Sequence, residues 1–239
     1  MFLYGKNSVR ERLRSKPRSI KKIYLEEGFS DEPIERLVRT TKVSCKIVSK
    51  KELYRIKRAD SLGGIVAEAE EFKYADFEDL LRESDNKKLS FVFLDRIFDP
   101  QNLGAMIRTA ACLGNLAIII PRHKACAVTD SVLRVASGGE NYTPVSMVSN
   151  LTNAILKAKK NGHWIVGADV NEGKDIQGLS LPFPLSLVLG SESKGIRYGV
   201  DKHLDLKVRI PMAGASLSFN VAIAFAIFAY EITKQKQAL

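Results

Sequence analysis

Residues 187–220 read LVLGSESKGIRYGVDKHLDLKVRIPMAGASLSFN. Two short apolar segments, 185–189 and 206–210, each run straight into a turn of small and polar residues. The first turn is Gly190-Ser191-Glu192-Ser193-Lys194-Gly195. The second is Pro211-Met212-Ala213-Gly214-Ala215-Ser216, which leads through Ser218-Phe219-Asn220 into an apolar helix. Strand ends that open into Gly-rich loops are where parallel α/β sheets keep their ligand sites. Glycine lets backbone approach a ligand closely, and helix starts expose free N–H groups. The stretch therefore predicts a small-molecule site.

Outward from it, strands and helices alternate. Segments 91–94, 116–120, 145–148 and 164–166 read as short strands, and 103–113, 130–136, 151–160 and 220–234 as helices. This rhythm predicts an α/β domain over 90–239, a parallel sheet with helices on both faces. Residues 1–72 alternate on a smaller scale. Strands are expected at 20–25, 43–48 and 65–67. Helices are expected near 8–14 with Asn7 or Ser8 as cap, over 30–41 with Ser30 as cap, and over 49–56. Between them, 73–89 turns acidic and polar, and is read as a boundary: a linker, or a short amphipathic helix between the domains.

Charge is unevenly placed. The 239 residues carry a net +10 and a sequence pI near 9.5. Residues 1–60 hold 17 Lys/Arg against 8 Asp/Glu, while the remaining 179 are nearly balanced. A basic end on a neutral body suggests a polyanion, most simply nucleic acid. Lys6, Arg10, Arg14, Lys21 and Lys22 are the candidate phosphate contacts. The three cysteines lack any CxxC spacing, which argues against a disulfide framework or a thiolate zinc site. The histidines, His123, His163 and His203, are scattered, and no metal is expected. Met1 to Lys6 holds no sustained apolar stretch, and the longest apolar run, 221–230, is too short to cross a bilayer. A reducing cytoplasm is the expected compartment.

Three constellations carry chemistry. In DPQNLGAMIRTA (99–110), Asp99-Pro100 stiffens a turn, Asn102 stands where an N-cap is expected, and Arg108 follows six residues on, on roughly the same helical face. An Arg in so apolar a helix asks for an anionic partner, RNA phosphate or Glu192. In GSESKG, the carboxylate of Glu192 can bind a ligand amine, orient Arg108 or stay solvated. The Lys-Ser/Thr of a phosphate loop is missing after Gly195, and GxGxxG occurs nowhere, so nucleoside triphosphates and ordinary dinucleotides are excluded. In 210–220, Ser216 and Ser218 are candidate caps. The helix that follows is apolar nearly all round, which suits core or a dimer interface.

With those segments quoted, the chain resembles the SpoU (TrmH-like) ribose 2′-O-methyltransferases of the SPOUT superfamily. The family's three motifs lie here in order as DPQNLGAMIRTA (99–110), LVLGSESKGI (187–196) and IPMAGASLSFNVAIA (210–224). Residues 1–72 are similar to the RNA-binding domain of its ribosomal-RNA branch, which acts on a guanosine of large-subunit RNA. The resemblance implies a deep trefoil knot near the C-terminus, which no periodicity suggests because knots are rare. It also implies S-adenosylmethionine as cofactor and a homodimer packed through the knot region. Gly190, Ile210 and Phe219 match positions whose backbone holds the cofactor, with Phe219 where the family usually has Leu. Asn102, Arg108, Glu192, Ser218 and Asn220 match the catalytic cluster.

The implied reaction is in-line methyl transfer to a ribose 2′-oxygen in RNA. Transfer RNA, a ribosomal resistance site and a non-catalytic RNA-binding factor are the alternatives. Arg108 stands as base in the family's view. Its pKa above roughly 12 favours instead a charged group that stabilises the forming alkoxide.

Overall fold

The computed structural model describes every residue except 85, 87, 216 and 239. The chain forms two sheets. The N-terminal unit comprises β1 (Phe2–Tyr4), α1 (Lys6–Ser15), β2 (Ile20–Glu26), α2 (Glu32–Thr41), β3 (Cys45–Val48), α3 (Lys50–Ile56) and β4 (Ile65–Ala69). Its four strands lie in the order β1-β4-β2-β3. β4 runs antiparallel to both neighbours and β3 parallel to β2.

The larger unit begins with α4 (Phe77–Glu83), then β5 (Ser90–Asp95), α5 (Pro100–Leu113), β6 (Leu116–Pro121), α6 (Asp130–Ala136), β7 (Val145–Val148) and α7 (Leu151–Lys160). It continues with β8 (Trp164–Ala168), β9 (Lys174–Asp175), β10 (Leu185–Gly190), α8 (Tyr198–Asp201), β11 (Leu206–Arg209) and α9 (Val221–Gln237). Its seven strands lie in the order β7-β6-β5-β10-β8-β11-β9, every pair parallel. The α/β class and the parallel sheet are thus as the sequence predicts. β5 and β6 are buried at every position and β10 at all but its last, as strands covered on both faces must be. One face packs on α5, α6 and α9 through Leu103, Met106, Val132 and Phe225. The other packs on α4 and α7 through Phe77, Leu80, Leu151 and Ile155. Of the two readings of 73–89, the helix is the one observed, and its apolar side covers the large sheet around Phe91 and Phe93.

The two units are joined by a buried seam. Leu3, Val9 and Leu13 share one apolar cluster with Val132 and Leu133. Ser8 Oγ donates to the carbonyl of Leu133 (3.1 Å), and Phe2 N donates to Asp130 Oδ1 (3.1 Å). At its centre Arg12 Nη2 meets Glu140 Oε1 at 3.2 Å, with both side chains almost wholly buried. Burial pushes the Glu140 carboxyl up, and the Arg12 guanidinium offsets part of that rise.

Several caps differ from expectation. α2 is capped by Asp31, not Ser30, its side chain accepting from Ile34 N at 3.2 Å. α1 starts after Gly5 at φ +83°, a conformation glycine adopts freely, and Ser8 turns inward to α6 rather than capping. α5 is capped by Asp99, which accepts from Gln101 N at 2.8 Å with Pro100 in the first turn. Asn102 is thereby freed for other work. α9 is capped by Asn220 rather than Ser218, and Ser216 lies outside the described residues.

Among the described residues no helix is long and apolar enough to cross a membrane, and no group of three His, Cys, Asp or Glu could hold a metal. His163 is buried between the hydroxyls of Ser186 (3.0 Å) and Ser84 (3.3 Å) and stacked on Phe91.

Candidate active site

β5 and β10 are neighbours, with Gly190 in register with Asp95. On one side of this pair the chain proceeds to β6 and β7, on the other lies β8, so strand order reverses here. Such a point leaves a crevice at the carboxyl ends of the strands. The turn after β10, the strand end of β8 and the segment before α9 enclose a cavity of about 490 Å³. Gly190, Ile210, Met212 and Phe219 line it together with the carboxylate residues Glu192 and Asp169. Val221, Ala224 and Phe228 of α9 close its apolar side.

The turn is built by close backbone approach. Gly195 N donates to the carbonyl of Ser191 at 2.8 Å, and Gly195 takes φ +61°. A Cβ on Gly190 would overlap the backbone of Gly195 and Ile196, so only glycine fits at the strand end. The turn is then fastened to β5. Asp95, fully buried, accepts from Arg197 N at 2.9 Å, and Arg197 Nε stands 3.1 Å from its other oxygen.

Asn220, Asn102 and Glu192 form one directed chain. Asn220 Oδ1 accepts from Ala222 N (2.9 Å) and Ile223 N (3.4 Å) at the start of α9. That fixes which way its amide points, and its Nδ2 donates to Asn102 Oδ1 at 3.0 Å. Asn102, buried, then donates its own Nδ2 to Glu192 Oε1. The helix start thus dictates, through two amides, that the carboxylate of Glu192 receives a donor. The three motifs meet at this chain.

Other candidate residues stand differently. Ser218 and Phe219 line the cavity, as do Gly190 and Ile210. Arg108 does not. Six residues are about one and two-thirds helical turns, so Arg108 and Asn102 point to different faces of α5, and Arg108 is exposed. Glu192 is engaged by Asn102 and not by Arg108. The sequence neighbour of Arg108, Thr109, helps to form an apolar groove between α5 and α9, with Ala105, Ala222, Ile223, Ile227 and Tyr230. Ile223 and Tyr230 are more than half exposed there.

Of the five basic candidates, Lys6, Arg10 and Arg14 lie on α1, and Lys21 and Lys22 on β2. Arg10 and Arg14 share Glu11 (3.6 and 3.0 Å). Lys6 lies against Asp31 and over the Phe29 ring. Lys21 and Lys22 stand at a bulge in β2 opposite Glu68, Lys21 paired with that carboxylate at 4.0 Å and Lys22 lying over the Tyr24 ring. Asp95 and Arg197 were not singled out by the sequence. The available signal was a carboxylate ending an otherwise apolar strand, FVFLD, which in a buried sheet demands a cationic partner.

The SpoU rRNA Methylase family matches residues 90–230, and the family of RNA 2′-O ribose methyltransferase substrate-binding domains matches residues 2–75. The chain is 35% identical to the 23S rRNA (guanosine-2′-O-)-methyltransferase RlmB of Coxiella burnetii, over 99% of this chain and 96% of that one. It is 31% identical to YacO of Bacillus subtilis, a protein assigned to the TrmH family of tRNA/rRNA methyltransferases, over 98% of this chain and 96% of that one. Among solved structures, the SpoU methyltransferase AviRb of Streptomyces viridochromogenes in complex with AdoMet superposes with a TM-score of 0.82 at 22% identity. That match covers 100% of this chain and 91% of the other.

Proposed function

We propose that this chain, which belongs to the SpoU rRNA methylase family and is an RNA 2′-O-methyltransferase of that family, acts on a guanosine of large-subunit ribosomal RNA in the cytoplasm, as a homodimer. The observation that carries the catalytic part is the Asn220–Asn102–Glu192 chain at the mouth of the cavity. The choice of guanosine and of large-subunit RNA rests on the likeness to the Coxiella burnetii enzyme.

The cavity suits S-adenosylmethionine. Its walls combine apolar side chains with polar ones, among them Asn171, Ser218 and Lys194, and two carboxylates, Glu192 and Asp169, outnumber that lysine and complement a cationic ligand. Gly190, Ile210 and Phe219 would hold the adenine end, the larger Phe219 ring covering it. The cofactor supplies an activated methyl group when bound. What remains for the protein is positioning and removal of the hydroxyl proton. Glu192, oriented by Asn102, holds the turn over the cavity, and Ser218 and Asn220 fix the segment opposite.

Arg108 is assigned to the 2′-oxygen and its neighbouring phosphate, as a charged group that stabilises developing alkoxide. It does not line the cavity of its own chain, and this supports the dimer. α9 presents Val221, Ala224 and Phe228 to the cavity and Ile223, Ile227 and Tyr230 to the open groove, whose α5 wall includes Thr109, next in sequence to Arg108. A two-fold contact through that groove buries its apolar surface and directs Arg108 of one protomer to the partner's site. A threaded backbone is part of the same reading. After β10 has entered between β5 and β8, the chain passes outside β8 to form β11 and returns to lay α9 on α5.

The test is calorimetry with S-adenosylmethionine followed by turnover on large-subunit RNA. Arg108→Ala is expected to bind the cofactor as the wild type does and to lose transfer. Undiminished transfer in that variant removes the assignment of Arg108.

A further inference from the structure

A second set of residues, separate from the Asn220–Asn102–Glu192 chain, gathers at the end of β5, where Asp95 is in register with Gly190. Asp95 is fully buried, yet two guanidinium groups converge on its Oδ1: Arg197 Nε at 3.1 Å and Arg96 Nε at 3.8 Å. Two positive charges face one negative, and both Nε atoms are buried against Asp95 Oδ1 in ion-pair contact without hydrogen-bond geometry. The surplus charge at a half-buried position calls for an anion, since a guanidinium does not discharge. Arg96 is held at φ +66°, an uncommon conformation for a residue with a side chain.

Each arginine is followed closely by an exposed aromatic ring. Phe98, in the loop after β5, is 60% exposed, and Tyr198, the first residue of α8, is 80% exposed. The loop after β6 joins them. Cys126 N donates to the carbonyl of Ile97 at 2.8 Å, which sets the exposed Arg122, His123 and Lys124 along the same edge of the sheet. The nearby carboxylates are already engaged, Asp99 by Gln101 N and Glu192 by Asn102. Clustered cations interleaved with open aromatic faces are the combination that grips single-stranded nucleic acid, phosphates on the charges and unstacked bases on the rings.

We propose that the rim formed by Arg96, Phe98, Arg197 and Tyr198 holds the RNA strand at the reacting nucleotide, with a backbone phosphate on the paired guanidinium groups and a neighbouring base stacked on an exposed ring. This rests on the RNA methyltransferase reading. It places substrate recognition on the catalytic unit itself, apart from the basic N-terminal unit. Arg197 also ties down the turn through Asp95, so it is a poor probe. Phe98 and Tyr198 are free of such duties, and their replacement by Ser should leave the fold intact.

The experiment compares wild type, Phe98→Ser/Tyr198→Ser, Arg96→Gln and, as control, Trp164→Ser at the opposite edge of the sheet. Each is titrated with a ten-nucleotide single-stranded RNA and with protein-free large-subunit RNA, and separately with S-adenosylmethionine. The aromatic double variant is expected to bind both RNAs roughly tenfold more weakly or worse. Its KM for RNA should rise while cofactor affinity and melting temperature stay put. Arg96→Gln should flatten the dependence of log affinity on log salt by about one contact. Trp164→Ser should change nothing. Wild-type RNA affinity and KM in a folded Phe98→Ser/Tyr198→Ser protein overturns the inference. If the wild type transfers no methyl to RNA yet the double variant loses RNA affinity, the rim stands and the methyltransferase reading falls.

Discussion

Asn220→Asp isolates the directed amide chain from everything else Asn220 does. The new carboxylate still accepts from Ala222 N and Ile223 N, and a negative group at a helix start is at least as good a cap. What it cannot do is donate to Asn102 Oδ1, the bond now made at 3.0 Å. Asn102 then has two choices, both poor. Left as it is, its oxygen faces a carboxylate. Flipped, its Nδ2 serves the new carboxylate but its oxygen faces Glu192, which loses its donor. Either way one part-buried polar contact is lost and replaced by an acceptor against an acceptor. Such a loss costs about 1–3 kcal/mol, which is roughly 5- to 150-fold in rate if it is felt in the transition state. Asn220→Asp should therefore remain folded, with a melting temperature lowered only as far as its stronger cap fails to offset that loss, and lose one to two orders of magnitude in kcat/KM for methyl transfer to RNA. Asn220→Ala should lose the cap as well, at about 1 kcal/mol of stability. Full activity in a stable Asn220→Asp protein would refute the reasoning.

Other outcomes follow from the same geometry. Gly190→Ala puts a methyl where the backbone of Gly195 and Ile196 runs, so calorimetry should find cofactor binding abolished even where circular dichroism still shows a folded chain. Arg12→Met strands Glu140 in the seam and should cost about 3–5 kcal/mol by chemical denaturation, whereas Arg12→Met with Glu140→Leu should be near neutral. If Arg108 serves the partner's site, mixing inactive Arg108→Ala and Glu192→Ala proteins after subunit exchange should restore about a quarter of wild-type activity, from heterodimers with one intact site. No recovery would place Arg108 elsewhere. Lys236 lies over the Phe183 ring with its ammonium on the Ser90 hydroxyl, and burial first, then the Lys88 charge, pulls its pKa down from 10.5 to about 8. The unfolded chain holds the extra proton between those values, so stability from this group rises with pH across that window. Lys236→Met should remove that rise in a melting-temperature profile.

What the sequence made legible follows from how local each signal is. β5, β6 and β10 are covered on both faces, so each reads as an unbroken apolar run, and the parallel sheet follows from them. β1 and β9 hold three and two residues, too few for any period to show. Ser30 and Asp31 are equally good caps by composition, and only the entry angle of the chain chose Asp31. Asn102 looked like a cap because Asn often is one. With Asp99 in that place, its amide is available to link Asn220, 118 residues away, with Glu192, 90 residues away. The Asp95–Arg197 and Arg12–Glu140 pairs span 102 and 128 residues, distances at which spacing says nothing. Arg108 was legible as unusual, but helical arithmetic sets it on a different face from Asn102.

The central claim is that the cavity under the Gly190–Gly195 turn delivers a methyl group to a ribose oxygen of large-subunit RNA. It is tested by incubating purified protein with methyl-labelled S-adenosylmethionine and that RNA, then resolving the nucleosides by mass spectrometry. The account predicts label in 2′-O-methylguanosine with the wild type and its loss with Glu192→Ala. Label on a base, or on the same nucleoside undiminished in the Glu192→Ala protein, would contradict it.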